Sequence, residues 1–270
     1  MSLRLNDHVQ LVLRTSGVRA ERWQRGWSVT HSERGAEIRL TRPVRRGDWR
    51  PMIAASMRAL SQLDASRSVS GASLDIVWGD ELAELAVTAG DFAQTTLPQL
   101  HEQARSVFEG DTPTAMRVHL QPDKRHLFVA GVDAWLLAEL RDLALDMGLR
   151  LRWAAPMFVR TWNAAYAGAL RGREAVFAVA GDGHAVLAAV SAGTIRSIDQ
   201  GQLAADAQAL DDRLQQWQAT PALVRPSRQA ELWLAGWGVA ATSRWRCAPA
   251  PDRPGQAWRP PLPINFARPA

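Results

Sequence analysis

The stretch from Val176 to Ile198 reads VFAVAGDGHAVLAAVSAGTIRSI and guides the interpretation of the whole chain. Its three apolar runs are separated by a Gly-Asp-Gly turn and a Ser-Ala-Gly turn, and this pattern predicts three consecutive β-strands. Glycine-rich turns can hold a phosphate through their backbone N–H groups, so Gly181, Asp182 and Gly183 are the candidate cofactor-binding residues. An Asp-Gly pair is also a common hairpin turn, which explains the same residues without a ligand.

The beginning of the chain predicts three strands, a helix and a fourth strand. The first three strands are expected at residues 8–15, 18–30 and 35–42. A helix is expected from a cap at Asp48 to Leu63, and a buried strand from Ala72 to Trp78. Four apolar residues are expected to share the buried face of this helix: Met52, Ile53, Met57 and Leu60.

The same βββαβ order returns in the last third of the chain. Strands are expected at 175–180, 184–191 and 194–199, followed by a helix at 203–218 and a strand at 230–235. Because each unit needs a partner layer to bury its apolar face, two such units predict an α/β fold of two related lobes, as in actin and ribonuclease H.

The residues between the two units predict a small inserted subdomain. Its expected elements, in the order βαββαβ, are strands at 82–88, 115–120, 126–131 and 149–154 and helices at 93–108 and 133–147. This order is that of a ferredoxin-like unit. A helix headed by Pro156 then enters the second lobe. The expected boundaries are 1–80 for the first lobe, 81–154 for the inserted subdomain, 155–247 for the second lobe and 248–270 for a proline-rich tail.

The scarcity of reactive residues argues against several classes of function. Cys247 is the only cysteine in 270 residues, which excludes an intramolecular disulfide and a cysteine-based zinc cluster. The six histidines have no metal-binding spacing, so no metal site is predicted. Four acidic residues are interpreted as a solvated loop rather than an acid/base pair: Asp75, Asp80, Glu81 and Glu84. No catalytic residue is predicted.

Positive charge is concentrated at the beginning of the chain. Residues 1–50 contain eleven arginines and five acidic residues. Such a basic lobe can face anionic lipid head groups or nucleic acid, and a solvated arginine-rich surface is the simpler explanation. No nucleic-acid-binding motif is present in the sequence, so no nucleic-acid partner is expected. An anionic membrane surface is kept as an alternative partner.

The middle third of the sequence resembles a known family. Val132-Asp133 begins a helix, residues Gly148 to Leu151 read Gly-Leu-Arg-Leu, and Pro156 heads a helix that ends in an Asn-x-x-Tyr stretch at Asn163 to Tyr166. This order is similar to that of the cytoplasmic L component of type II secretion systems (GspL) and of the PilM protein of type IV pili. Together with the predicted strands of both lobes, the resemblance extends over most of residues 8–236.

The resemblance implies an actin-like fold with a nucleotide site at two phosphate turns. The first turn here, Arg14 to Gly17, has neither the acidic residue nor the lysine of that pattern, and the strand before the second turn, Phe177 to Ala180, has no acid. An ATPase of this kind needs carboxylates to hold magnesium and orient water. We therefore expect no cofactor, with ATP as the alternative, in a scaffold that keeps the fold without the chemistry.

The end of the tail provides candidate partner-binding residues. Ile264, Asn265 and Phe266 resemble the Ile-Asn-Leu-Leu-Pro segment with which PilN-type partners dock into PilM. In PilM-like proteins the receiving groove lies in the first lobe, beside the inserted subdomain. We predict that this tail occupies that groove, in its own chain or in a neighbouring one. A loose linker is the alternative.

The resemblance implies a non-catalytic scaffold or adaptor at the cytoplasmic face of a bacterial type IV pilus or type II secretion assembly platform. The implied partners are inner-membrane assembly proteins of the PilN or GspM type, and a homodimer is left open. The implied location is cytoplasmic and peripheral at the inner membrane. An active actin-like ATPase and a basic nucleic-acid-binding protein are the alternative functions.

Overall fold

The first lobe is a five-stranded mixed sheet with a helix packed against it. This computed structural model describes residues 7–25, 30–66, 68–108, 114–166, 170–181, 183–204, 206, 208–220, 229–236, 242–248 and 262–267. The elements of the first sheet and its helix are β1 (His8–Arg14), β2 (Gly17–Arg25), β3 (Thr30–Arg39), α1 (Arg50–Asp64), β4 (Ser73–Trp78) and β8 (Arg150–Pro156). The strand order is β3-β2-β1-β4-β8, with β4 and β8 parallel to β1 and to each other. The predicted βββαβ order is confirmed.

Helix α1 differs from the expected helix at two points. Its N-cap is Trp49, which makes no side-chain cap bond, so the expected cap at Asp48 is wrong. Met52 is fully buried against the sheet, whereas Met57 is 51% exposed and does not belong to the buried face. Met57 follows Met52 by five positions, which places it about 140° away around the helix axis.

The second lobe repeats this architecture. Its elements are β9 (Ala175–Gly181), β10 (His184–Ser191), β11 (Thr194–Gln202), α5 (Ala209–Ala219), β12 (Glu231–Gly236) and β13 (Arg246–Cys247). The strand order β11-β10-β9-β12-β13 matches that of the first lobe position by position. Helix α5 begins later than the expected residue 203, because β11 continues to Gln202, where it still pairs with His184.

The inserted subdomain is smaller than predicted. Its elements are a 3-10 helix (Asp80–Leu82), β5 (Ala83–Ala89), α2 (Leu97–Arg105), β6 (Thr114–Leu120), β7 (His126–Asp133) and α3 (Ala134–Asp146). The three strands form a sheet in the order β5-β7-β6. β8 was expected to complete a four-stranded ferredoxin-like sheet, but it pairs in parallel with β4 of the first lobe. The apolar pattern of a strand predicts that it is buried, not which sheet it joins.

Helix α4 (Met157–Ala165) connects the cores of the three parts. The Phe158 ring stacks on Phe128 of the inserted subdomain, with ring centroids 6.2 Å apart. It also meets Phe177 of the second lobe edge-on at 5.8 Å. Trp162, one turn further along α4, contacts Phe177 at 5.7 Å. A single aromatic cluster therefore fixes the positions of the inserted subdomain and the second lobe around α4.

A second set of contacts joins the inserted subdomain directly to β11. The side-chain amide of Gln121, which is buried, donates to the Ile195 carbonyl at 2.7 Å and accepts from the Ile195 N–H at 2.8 Å. Arg196 forms an ion pair with Asp123 at 2.8 Å. Because buried backbone groups are costly to leave unpaired, these bonds fix the position of the inserted subdomain against β11.

The helices are short. α1, with 15 residues, is the longest of the five described above. Within the described ranges, no helix has the length and apolar character needed to cross a membrane.

Candidate functional site

The first candidate site is a small cleft between the lobes, at the position of the two predicted phosphate turns. Residues Gly79 to Glu81 line it from the first lobe, and residues Val179 to Gly181 and His184 line it from the second. Gly79 has no side chain, and a Cβ there would collide with the Glu81 carboxylate. The Glu81 carboxylate therefore packs closely against Gly79 at the edge of the cleft.

The backbone of the first turn is already hydrogen-bonded within the protein. The Thr15 N–H donates to Glu81 Oε1 at 3.0 Å, and the Thr15 carbonyl accepts from the Val44 N–H at 2.9 Å. A phosphate bound at this turn needs free N–H donors. The Glu81 carboxylate occupies the Thr15 donor and adds negative charge where an anion would bind.

Asp80 is buried beside this cleft. Its Oδ1 accepts a hydrogen bond of 2.8 Å from the Phe158 N–H, in the first turn of α4. Burial raises its pKa well above the usual value; the Phe158 N–H lowers it in part, and the neighbouring Glu81 charge raises it further. The carboxyl group thus caps α4, satisfying a donor that has no partner within the helix.

Asp75, on β4, is a second buried acid. Its carboxylate lies 3.2 Å from His8 Nε2 and accepts from Arg152 Nε at 2.9 Å. Burial acts to raise its pKa, but the hydrogen bonds and charges of His8 and Arg152 outweigh burial and lower it. The interpretation of Asp75 and Asp80 as part of a solvated loop is therefore wrong, since both are buried and paired.

The second turn is a two-residue hairpin turn. Gly181 pairs with His184, and Gly183 has a φ of +76°, the left-handed conformation that glycine adopts readily. Asp182 lies outside the described residues. Burial, together with the nearby charge of Arg213, lowers the pKa of His184 to about 4. His184 is therefore neutral at pH 7 and adds no positive charge for a phosphate. Cofactor binding at residues 181–183 stays a prediction.

The second candidate site is a groove on the first lobe in which the tail segment Leu262–Ala267 lies. Leu262, Ile264 and Phe266, at alternating positions, are each at most 2% exposed. The Phe266 ring contacts Trp78 at the end of β4, with centroids 5.5 Å apart. Alternation of buried anchors is the pattern of an extended peptide, in which successive side chains point to opposite sides.

The tail is hydrogen-bonded to the edge of β8. The Phe266 N–H donates to the Ala154 carbonyl at 2.8 Å. The Asn265 side chain accepts from the Ala154 N–H at 3.0 Å and donates to the Arg152 carbonyl at 3.1 Å. The amide side chain thus acts as a further peptide unit, and the outer edge of β8 is paired rather than open.

Asn163 holds the beginning of the segment. Its side-chain amide donates to the Leu262 carbonyl and accepts from the Leu262 N–H, both at 3.0 Å. Asn163 lies on α4 and is buried. Both bonds go to backbone atoms of Leu262, so they do not depend on the identity of its side chain.

Two arginines hold the other end of the segment. Arg117 Nε, on β6, donates to the Asn265 carbonyl at 3.3 Å, and Arg141 Nη2, on α3, donates to the Phe266 carbonyl at 2.6 Å. The Arg117 guanidinium also lies over the Phe266 ring, 5.4 Å from its centroid. The groove is therefore built from the edge of β8, from α4 and from the inserted subdomain.

The structure places Ile264, Asn265 and Phe266 together in this groove, in their own chain. Their role in binding a partner stays a prediction. The residues that receive them, Asn163, Arg117 and Arg141, were not predicted as groove residues. Asn163 could have been found, because a polar residue among the apolar positions of α4 needs a partner. The two arginines carry no such signal in an arginine-rich chain.

Comparisons with known proteins show the fold. No family model matches the sequence, and no curated protein matches it significantly. The cytoplasmic domain of EpsL, an inner membrane component of the type II secretion system of Vibrio cholerae, superposes with a TM-score of 0.56 at 11% identity over 91% of both chains. The PilM–PilN type IV pilus biogenesis complex gives 0.56 at 13% identity, over 86% of this chain and 81% of that one.

A Bacteroides thetaiotaomicron protein with an actin-like ATPase fold and unknown function gives a TM-score of 0.50 at 8% identity, over 79% of this chain and 75% of that one. The chain therefore has an actin-like α/β fold, as predicted. Within that class it is similar to the GspL protein EpsL and to PilM, the resemblance on which the sequence analysis drew. At these identities the similarity establishes the fold and not the activity.

Proposed function

We propose that this protein is a non-catalytic scaffold or adaptor of a bacterial type II secretion or type IV pilus assembly platform, and that its first-lobe groove binds extended segments of partner proteins. One observation supports this proposal most directly: a peptide segment, Leu262–Ala267, is held in the groove by alternating apolar anchors and edge-strand hydrogen bonds. This is the mode by which proteins capture extended peptides.

The contacts in the groove recognise a pattern rather than one sequence. Asn163 and Ala154 bind backbone atoms, and the tail supplies only three buried anchors and one amide. Any segment with apolar residues at alternate positions and asparagine before the last anchor can make the same bonds. A groove of this kind suits a scaffold that joins several proteins of an assembly.

The non-catalytic part of the proposal rests on the cleft between the lobes. Glu81 occupies the donor of the first turn, Asp80 is used to cap α4, and His184 is neutral at pH 7. None of these groups is placed to bind magnesium or to stabilise the charge that develops in phosphoryl transfer.

The proposed partners and location follow the two similar structures. One is an inner membrane component of a type II secretion system, and the other contains PilM in complex with PilN. By analogy, the partners of this chain are inner-membrane assembly proteins of the PilN or GspM type. The protein then works in the cytoplasm, at the surface of the inner membrane.

Fluorescence polarisation with a labelled peptide of residues 260–269 tests the groove. In the intact chain the peptide must compete with the attached tail, whose effective concentration is in the millimolar range. The receptor is therefore the full chain carrying Asn265→Ala, which weakens the attached tail. We expect saturable binding that is about tenfold tighter to this variant than to the wild-type chain, corresponding to ~1.4 kcal/mol.

The control is the same peptide with alanine in place of its asparagine, which should bind at least several-fold more weakly. The receptor must keep its wild-type circular dichroism spectrum. Absence of saturable binding of the wild-type peptide up to the millimolar range, with a folded receptor, would contradict the proposal.

A further inference from the structure

We infer that the groove selects partner segments that carry a carboxylate shortly after the aromatic anchor, and that the chain's own tail is a weaker occupant which such a segment displaces. This inference rests on the proposed function, since it names the chemistry of the partner that the groove binds. It follows from the charges at the end of the groove.

Two guanidinium groups converge on consecutive carbonyl oxygens of the tail. Arg117 donates to the carbonyl of Asn265, and Arg141 donates to the carbonyl of Phe266. A carbonyl oxygen carries only a partial negative charge. A carboxylate accepts from guanidinium groups in shorter and stronger bonds, often two at a time.

The environment of these arginines strengthens the preference for an anion. Both side chains are partly shielded from water. The two guanidinium groups donate to the carbonyls of adjacent residues, so their positive charges lie close together. Burial lowers the pKa of Arg117, and the nearby Arg141 charge lowers it further. Arg141 makes no ion pair with the part of the chain that the structure describes. An added negative charge would relieve the repulsion.

The sequence of the tail supplies positive rather than negative charge after the aromatic anchor. Residues 253–270 contain three arginines and no acidic residue, and one of the three, Arg268, follows Phe266 by two positions. The apolar anchors and Asn265 complement the groove, whereas the charge after them does not. The described part of the tail is held by its apolar anchors and by hydrogen bonds, and the next residue in the sequence is positively charged rather than negatively charged.

This mismatch makes the tail displaceable. Its attachment to the chain keeps the groove covered when no partner is present. A partner segment with the same anchors, and with aspartate or glutamate two positions after the aromatic anchor, brings a negative charge where the sequence of the tail has a positive one. Because the occupied groove includes the edge of β8, displacement also changes which segment pairs with that edge.

The first test keeps the tail attached and changes its charge. We expect Arg268→Glu to raise the melting temperature of the full chain above that of Arg268→Gln, which removes the positive charge without adding a negative one. The difference should shrink in 0.5 M salt, since screening weakens exposed ion pairs. It should also fall by at least half when Arg141→Gln is combined with each variant. Equal melting temperatures of the two variants at low salt would overturn the inference, as would a difference that Arg141→Gln leaves unchanged.

The second test measures selection in trans on the full chain carrying Asn265→Ala. Three labelled peptides of residues 260–269 are compared, with arginine, glutamine or glutamate at position 268. We expect the glutamate peptide to bind about fivefold to tenfold more tightly than the glutamine peptide, and the arginine peptide to bind most weakly. If the glutamine peptide binds and the glutamate peptide is no better, this inference fails and the proposed function stands. If none of the three binds, the proposed function itself fails.

Discussion

The groove and the cleft are two concave regions of one molecule that are filled in different ways. The groove holds a separate segment of chain, Leu262–Ala267, whose backbone pairs with the edge of β8. The cleft between the lobes is filled by side chains of its own walls, with Glu81 bonded to the first turn and Asp80 to α4. A separate segment in a groove can be replaced by another peptide. The Glu81 and Asp80 side chains are part of the cleft itself and cannot be replaced in this way.

The difference separates what maintains the fold from what equips the cleft for a ligand. The two βββαβ units and their matching sheet orders are held by apolar packing and backbone pairing, which do not depend on the polar side chains at the turns. Only a few polar side chains at the turns decide whether the cleft binds an anion. In this chain those positions have structural roles, and the edge of the first sheet is paired with the tail segment.

The largest expected effect comes from emptying the groove. Phe266→Ala removes a fully buried ring that packs on Trp78 and under Arg117. We expect the free energy of unfolding to fall by about 3 kcal/mol, the usual cost of truncating a buried phenylalanine. Urea denaturation followed by circular dichroism measures it. Cys247→Ala, on the exposed edge strand β13, is the control and should change stability by less than about 0.5 kcal/mol. A loss of under 1 kcal/mol for Phe266→Ala would show that the segment is not docked in solution.

A smaller effect distinguishes two buried acids, Asp75 on β4 and Asp80 in the 3-10 helix. The folded-state pKa of Asp80 is raised, so the stability that it contributes is present below pH 4 and is lost as the pH rises through its folded pKa. Asp80→Asn keeps an oxygen for the Phe158 N–H but cannot ionise. We expect this variant to gain stability relative to the wild type between pH 4 and pH 8, by about 1 kcal/mol or more, since one pKa unit is worth about 1.4 kcal/mol.

Asp75→Asn is the matched control, because the pKa of Asp75 is lowered and the sign of the linkage is reversed. Its stabilising contribution is present above pH 4 and is lost as the pH falls through its folded pKa. We expect this variant to lose about 1–2 kcal/mol at pH 7 and less at pH 3. The melting temperatures of both variants, relative to the wild type, are measured from pH 3 to pH 8. If the two differences changed with pH in the same direction, the opposite pKa shifts of Asp80 and Asp75 would be contradicted.

The smallest expected effect is the heat of nucleotide binding in the cleft. Isothermal titration with Mg-ATP should show no saturable binding below about 1 mM, which corresponds to about −4 kcal/mol. The reason is that Glu81 occupies the donor of the first turn and His184 is uncharged. Glu81→Gln removes the negative charge and tests whether that charge is what prevents binding. Micromolar binding to the wild-type chain that is lost on Asp182→Ala would restore the ATPase interpretation.

Much of the fold could be predicted because its signals are local. Alternating apolar runs and the turns at Gly17 and Gly183 specify strands and hairpins within a few residues, so the order of elements in both lobes was accessible from the sequence. The assignment of β8 to a sheet was not, because its apolar residues suit either neighbour. Its position depends on pairing with β4, which is distant in sequence.

The groove, like the fold, could be predicted only in part from the sequence. The segment Ile264-Asn265-Phe266 was identified through its resemblance to a PilN-type segment, and the prolines on both sides of it indicated an extended chain, because residue type and spacing are properties of the sequence. The residues that receive it come from β6, α3, α4 and β8, and the sequence does not show that they meet. Likewise, composition left Asp80 as one acid among several. Only the tertiary structure decided that it is buried against the first turn of α4, because burial and hydrogen bonding depend on which distant residues pack together.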